Sequence, residues 1–291
     1  MNIIRIVISL FLIFIVFIII ESMIEIRQLK ITRYDVYHNK LPKIFNGYKI
    51  ILMADLHNCF YNSDKIIETI KEEAPHAVVI AGDMLVYGDN KMEKNKKAIE
   101  LVKNIATYAD VFYAPGNHEM GYMVKKNEEW LTYENQLLEA KDDNVYYMDN
   151  KVIELSRDDS VIKIYGLHLT DGYYKRLIKK PLTTDNINKL LGNTKDQEYN
   201  ILIAHNPDYF EDYCKWGADL VLSGHNHGGL MRLPILGGFI SPRLRIFPKY
   251  DYGRFDNSNS TLVLSGGLGA HSLKIRVNNK PELVVINLNK D

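Results

Sequence analysis

Apolar residues fall along the chain in two kinds of segment. The first is one long run near the amino terminus, where Ile6 to Ile20 reads IVISLFLIFIVFIII without a charge and Ile3, Ile4, Met23 and Ile24 extend it past Arg5 and Glu21. A helix that crosses a bilayer needs about 20 mainly apolar residues, with about 17 tolerated, and Arg5 and Glu21 are long enough to snorkel to the two interfaces. A core helix at a domain's edge keeps a wet side at helical period, and this run has none. No small-x-small cleavage site follows, because the chain continues ESMIEIRQLK. The pattern therefore predicts a retained membrane helix rather than a cleaved signal peptide. Arg27, Lys30 and Arg33 after the span outnumber Arg5 and the terminal amine before it, which places the remainder in the cytoplasm on a positive-inside count. Signal anchors usually behave in the opposite way, and the side stays open.

The second kind is short and rich in β-branched residues. Lys49 to Ala54, Ala77 to Ala81, Val111 to Ala114, Ile201 to Ala204 and Leu220 to Ser223 are apolar runs, each ended by small or polar residues. Helix-like stretches lie between several of them, at Ser63 to Glu73, Lys91 to Tyr108 and Lys125 to Lys141, and Ser63 carries the oxygen that an N-cap needs. Strands alternating with helices predict a layered α/β fold with buried strands. Val152 to Leu155, Val161 to Leu167, Thr261 to Leu264 and Leu283 to Leu288 read as strands with little helix between them, which predicts a second, mixed sheet. Two sheets packed face to face with helices outside account for this order. The expected organisation is an anchor over 1–27, a connecting segment over 28–45 and one domain over 46–291.

Composition narrows the field. The 291 residues allow one large domain or two small ones at about 100 to 200 residues each. Lys plus Arg and Asp plus Glu each total 36, so no net charge favours nucleic acid, and the 19 tyrosines show no spacing of a base-stacking platform. Nucleic-acid binding is not expected. Cys59 and Cys214 lie too far apart in sequence for a CxxC metal knuckle and form no disulfide framework.

Each of the five runs leads into groups able to hold a metal. The first leads into Asp55-Leu56-His57, the second into Gly82-Asp83, and the third into Gly116-Asn117-His118-Glu119; the fourth ends at His205 and the fifth at Gly224-His225-Asn226-His227. Ligands of α/β sheets collect beyond the carboxyl ends of the strands, so these five loops are expected to converge on one rim. Five of the nine histidines lie in them. Carboxylate oxygen and imidazole nitrogen suit Mn²⁺, Fe²⁺ and Zn²⁺, and the lack of thiolate ligands argues against a structural zinc cluster. Glycines before the donors supply the freedom that sharp strand-to-loop turns require.

The ordered set DLH, GD, GNHE, H and GHNH resembles the calcineurin-like metallophosphoesterases over essentially residues 46–291. The likeness is closer to their bacterial YkuE/YaeI-like branch, through Gly224-His225-Asn226-His227-Gly228-Gly229, Arg232-Leu233-Pro234, Ser265-Gly266-Gly267-Leu268-Gly269 and Pro281-Glu282. The resemblance implies a four-layer α/β/β/α sandwich with two divalent metal ions (Mn²⁺, Fe²⁺ or Zn²⁺) at the strand ends. It assigns Asp55, His57 and His227 to one ion, Asn117, His205 and His225 to the other, and Asp83 to both. It further implies that a hydroxide between the ions attacks phosphorus in line, while the ions neutralise charge on the phosphoryl oxygens. His118, by the same resemblance, is no ligand. It donates a proton to the leaving alkoxide or steadies the transition state, the alternative being a residue that orients a ligand.

Other residues leave choices open. His38, His76 and His168 read as ordinary histidines, and His271 follows a glycine-rich loop that could reach the cleft. Glu119 either orients His118 or ends its loop, and Arg243 to Arg254 is either a lid over substrate phosphate or a plain solvated loop. Relatives often carry an acidic residue soon after Gly-Asp, whereas Met84-Leu85-Val86 stands here and leaves the support of Asp83 unexplained. The expected protein is a single-pass protein of the bacterial plasma membrane that hydrolyses a phosphate ester, a phosphodiester of a lipid, lipid-linked sugar or envelope polymer. The alternatives are a protein or small-molecule phosphomonoesterase and, in another class, a non-catalytic anchored metal-binding scaffold.

Overall fold

Two six-stranded sheets pack face to face, and helices cover the outer face of each. The computed structural model describes residues 2–88, 91–125, 133, 135–137, 144–175, 179–229, 231–233, 237–240, 246–270 and 275–291. The first half runs through α1 (Asn2–Glu25), β1 (Lys30–His38), β2 (Tyr48–Met53), α2 (Ser63–Glu73), β3 (Ala77–Ala81), α3 (Met92–Ala106), β4 (Asp110–Ala114), α4 (Asn117–Lys125) and β5 (Val145–Tyr147). The second half begins with β6 (Lys151–Arg157), β7 (Ser160–Leu167), α5 (Thr184–Leu191), β8 (Tyr199–Ala204), α6 (Phe210–Trp216) and β9 (Leu220–Ser223). It ends with β10 (Met231–Leu233), β11 (Gly237–Ile240), β12 (Gly253–Asn257), β13 (Ser260–Leu264) and β14 (Glu282–Lys290). The sheet orders are β1-β14-β2-β3-β4-β5 and β12-β13-β9-β8-β7-β6, and β10 and β11 form a separate pair.

The four layers follow from alternation along the strands. Successive side chains of a strand point to opposite faces. Ile50, Leu52, Val79, Ile201, Ile203 and Leu222 fill the space between the sheets. Their neighbours Ile51, Met53, Val78 and Ile80 meet Ile66 and Ile70 of α2 and Val102 of α3. On the far side Leu202 and Val221 meet Ile187 of α5 and Tyr213 and Trp216 of α6. Strands buried on both faces read as continuous apolar runs, which is why their positions are legible in the sequence.

The sequence-based expectations differ from the structure at several points. The five donor-bearing strands belong to two sheets, β2, β3 and β4 to the first and β8 and β9 to the second. Leu283 to Leu288 lies in β14, which joins the first sheet between β1 and β2. Residues 30–38, expected within a connecting segment, form β1 and pair in parallel with β14 from Lys30 opposite Glu282 to His38 opposite Lys290. The cap of α2 is Asn62 in position and lacks a side-chain cap bond, while Ser63 is already helical. Residues Asn117 to Glu119, expected in a loop, form the first turn of α4. Most of the expected helix from Lys125 to Lys141 lies outside the described residues.

Helix α1 is apolar and long enough to cross a membrane, and its side chains from Ile3 to Ile24 stand largely exposed. Its end behaves differently. Ser22, Glu25 and Ile26 are buried against the domain. Arg276 N donates to Ser22 Oγ (3.2 Å), Asn279 N to Glu25 Oε2 (2.8 Å) and Asn62 Nδ2 to the Ile26 carbonyl (3.0 Å). The Asn62 amide is thus engaged with the helix end instead of capping α2.

Candidate metal centre

Parallel strands put their carboxyl ends on one side, and the loops that leave β2, β3, β4, β8 and β9 meet there. Asp55, His57, Asp83, His225 and His227 all adopt left-handed backbone conformations, with φ between 46° and 79°. Non-glycine residues avoid this region, and such strain persists where the surroundings over-determine it, most often at functional sites. Close approach fixes two of the glycines. A Cβ on Gly116 would lie 2.3 Å from Asp83 Oδ1, and one on Gly224 would lie 2.6 Å from Asp55 Oδ2.

Two adjoining clusters hold most of the donors, and a third group shares His57 and Asp83 with them and adds His118. In the first, His57 Nε2 and His227 Nε2 are 3.1 Å apart, and Asp55 Oδ1 lies 3.7 Å and 3.3 Å from them respectively. In the second, His205 Nε2 lies 3.1 Å from His225 Nδ1 and 3.1 Å from Asp83 Oδ2. Asp83 Oδ2 is also 3.8 Å from His57 Nε2, so this carboxylate stands between the clusters. Asn117 adjoins the second, because the next residue's N–H donates to Asp83 Oδ1 at 2.8 Å. Donors about 2.1 Å from a shared ion sit roughly 3.0 to 3.4 Å from one another, close to the shorter separations here. The buried oxygens Asp55 Oδ1 and Asn117 Oδ1 accept no hydrogen bond. A buried acceptor without a donor is costly, and a divalent cation satisfies it. The residues present fit two such ions.

Charge in the cluster supports the same reading. Burial alone would raise the Asp83 carboxyl, but His205 and His118 more than offset it and hold the group well below the usual carboxylate range. Asp55 is likewise lowered against its burial, chiefly by His227. Burial would lower the His205 imidazole, yet Asp83 and Asp55 push it up to about 9. His118 differs, because burial outweighs its carboxylate neighbours and holds it below the ordinary imidazole value. Its ring packs edge-on to His57 at 4.7 Å. Tyr87 N donates to His118 Nδ1 (3.2 Å), so the neutral ring carries its proton on Nε2.

Arg276 and Asn279 escape motif reading, and the partners of Glu119, the last residue of the Gly116–Glu119 motif, are set only by the fold. Glu119 is fully buried and accepts from Asp83 N (3.0 Å), Leu85 N (3.1 Å), Gly116 N (2.9 Å) and Tyr113 Oη (2.6 Å). It ties the β3 and β4 loops together, and supplies the support that Met84-Leu85-Val86 lacks. Arg276, pushed down to about 10 by burial, donates to the carbonyls of Gly266 and Gly267 and so holds the loop behind Asp55. Asn279 Nδ2 donates to the carbonyls of His227 (2.7 Å) and Gly229 (2.6 Å). None of these has a telling spacing in sequence. The position of Glu119 directly after the donor-bearing Asn117-His118 pair was the one available signal.

The other histidines lie elsewhere. His168 Nδ1 faces Asp149 (2.8 Å), His38 Nε2 faces the Asn259 carbonyl (2.9 Å), and His76 stacks on Tyr48. His271 and residues 243–245 lie outside the described residues. In the described part of the basic loop, Lys249 pairs with Glu211, Arg254 with Asp256, and the Tyr250 carbonyl accepts from Asn226 Nδ2 (2.6 Å).

The family to which the sequence matches agrees with the geometry. The sequence model of the family described as Calcineurin-like phosphoesterase matches residues 48–229. The chain is 26% identical over 269 residues to the Bacillus subtilis protein named uncharacterized metallophosphoesterase YkuE, covering 91% of this chain and 87% of that one. It is 25% identical over 266 residues to a Danio rerio protein named transmembrane protein with metallophosphoesterase domain, covering 88% of this chain but 56% of the relative. Among solved structures it is similar to the Thermus thermophilus protein TT1561, with a TM-score of 0.47, 11% identity, and coverage of 76% of this chain and 90% of that one. The chain belongs to the calcineurin-like phosphoesterase family and is a metal-dependent phosphoric ester hydrolase.

Proposed function

We propose that the protein is a membrane-anchored phosphodiesterase with two divalent cations, acting on a phosphate ester at the lipid surface. The observation that carries this reading is the position of Asp83 between two donor clusters drawn from five loops. Asp55, His57 and His227 would hold one ion and Asn117, His205 and His225 the other, with Asp83 placed to serve both. When bound, the ions supply a polarised water and neutralise charge on the phosphoryl oxygens. His118, held neutral by its lowered pKa with the hydrogen on Nε2, would donate a hydrogen bond that steadies charge on the leaving oxygen. Glu119 and Gly116 keep the Asp83 and Asn117 loops in register. The apolar α1 supports a single-pass anchor for the domain into which its last turn is packed.

The test uses the full chain purified in detergent, stripped with a chelator and restored with Mn²⁺, Fe²⁺ or Zn²⁺. The expected result is metal-dependent hydrolysis of bis-p-nitrophenyl phosphate, faster than that of the monoester p-nitrophenyl phosphate. Absence of turnover with every cation would refute the reading, and a preference for the monoester would replace the diesterase by a phosphomonoesterase.

A further inference from the structure

A cavity of about 510 Å³ opens beside the donors, with His57 and His118 in its wall. Ile26, Phe60, Tyr61 and Val86 also line it, and among the described lining residues the charged ones are Lys91 and Lys94. Ile26 follows directly on α1. The end of the apolar helix therefore forms part of the wall of the cavity that holds the reacting groups.

That junction is fixed, not tethered. The three hydrogen bonds to Ser22, Glu25 and Ile26 hold the last turn of α1 on the domain, and all three acceptors are buried. Asn279 continues the connection, since its backbone N–H binds Glu25 while its side chain binds the carbonyl of His227. Next to the cavity, the Arg27 guanidinium lies 5.1 Å over the ring of Tyr61, which is itself 56% exposed. Arginine and tyrosine just beyond an apolar span are the residues that settle at a bilayer's headgroup level. The cavity, the Arg27–Tyr61 pair and the helix end thus adjoin one another, since Ile26 and Tyr61 both line the cavity.

We infer that this cavity admits the lipid portion of a bilayer-resident phosphodiester, whose chain passes Ile26, Phe60 and Tyr61 while its phosphorus reaches the metal centre. The inference rests on the function proposed above and names its substrate class. Lys91 and Lys94 complement the anionic headgroup. In the reaction the oxygen of water bonds to phosphorus, the bond from phosphorus to one ester oxygen breaks, and a proton passes to that oxygen.

The experiment places the full chain with Mn²⁺ in vesicles of phosphatidylethanolamine and phosphatidylglycerol. Two probes share one scissile bond, hexadecyl p-nitrophenyl phosphate in the bilayer and methyl p-nitrophenyl phosphate in water. The expected kcat/KM for the hexadecyl ester is at least tenfold the higher, and Ile26→Asp lowers that ratio at least tenfold. A second, activity-free readout is Tyr61→Trp in vesicles of chain-brominated lipid, where the new indole is quenched beyond the parent protein's own fluorescence and Glu25→Ala reduces that quenching. Equal rates on the two esters, or no added quenching of the Trp at 61, would overturn the inference. Failure on both esters with every cation would instead remove the function on which it rests.

Discussion

At the residue scale, His118 and Glu119 are neighbours with different duties. Under the proposed assignment His118 is not a ligand, although its ring stands with His57 and Asp83 in a group able to hold a cation, so His118→Asn is expected to keep two cations by metal analysis while turnover falls about 10²- to 10⁴-fold. Undiminished turnover would take His118 out of the chemistry. Glu119 touches no substrate, but its carboxylate satisfies three backbone N–H groups and a tyrosine hydroxyl in a dry environment. Glu119→Ala leaves those donors buried, at about 1 to 3 kcal/mol each before relaxation. Thermal unfolding should show a large loss of stability, and metal content should fall with it. His205 yields a pH dependence. Its imidazole is raised from 6.5 to about 9 by Asp83 and Asp55, so its stabilising pairing with them is complete below about pH 6.5 and is lost as pH rises through about 9. A cation at Nε2 must displace that proton, and cation affinity therefore strengthens across the same window. Calorimetry in buffers of different ionisation enthalpy should detect proton release near neutral pH, and pH-independent affinity would contradict the assignment. The donors were legible because each ends an apolar run. Arg276 and Asn279 were not, because their partners are set by tertiary contact rather than by spacing, and Glu119 was legible as a neighbour of the donors but not as the acceptor for the Asp83 loop.

At the element scale, the end of α1 matters more than its length. A chain that begins at residue 28 loses Ile26 from a buried site and the partners of three hydrogen bonds. Burial of one large aliphatic side chain contributes about 1.5 to 3 kcal/mol and each net hydrogen bond about 1 kcal/mol. Such a chain should therefore unfold in urea with a stability lower by several kcal/mol than a chain beginning at residue 21, which removes most of the apolar span and keeps the last turn. Equal stability of the two would show that this turn is not part of the domain. The sequence points to α2 from Ser63 to Glu73 correctly, but it cannot show that the Asn62 amide is drawn away to Ile26. It also hides β1. Tyr34, Val36 and His38 alternate with Arg33, Asp35 and Tyr37, yet this edge strand is mixed in polarity and its partner β14 lies some 250 residues away.

For the whole molecule, the two sheets were legible as runs of strands, but the membership of each sheet was not, because pairing between distant segments leaves no periodic trace. The observed membership would give bound cations a structural duty as well. Asp55, His57, Asp83 and Asn117 follow strands of the first sheet, whereas His205, His225 and His227 follow strands of the second. Each donor cluster therefore draws on both sheets, and ions held there would cross-link them at one end. A cation present at 1,000 times its Kd stabilises the folded state by about 4 kcal/mol. The apolar layer between the sheets is continuous without them, from Ile50 and Val79 to Ile201 and Leu222. Chelation should thus lower Tm reversibly while the strands stay folded. Hydrogen exchange is expected to quicken around residues 55–58, 83–86, 116–119 and 224–228 and to remain slow in β3 and β8, with Mn²⁺ restoring the loops. If exchange instead rose evenly through both sheets, the core would depend on the ions for its folding and the two sheets could not be the independent scaffold that positions the donors.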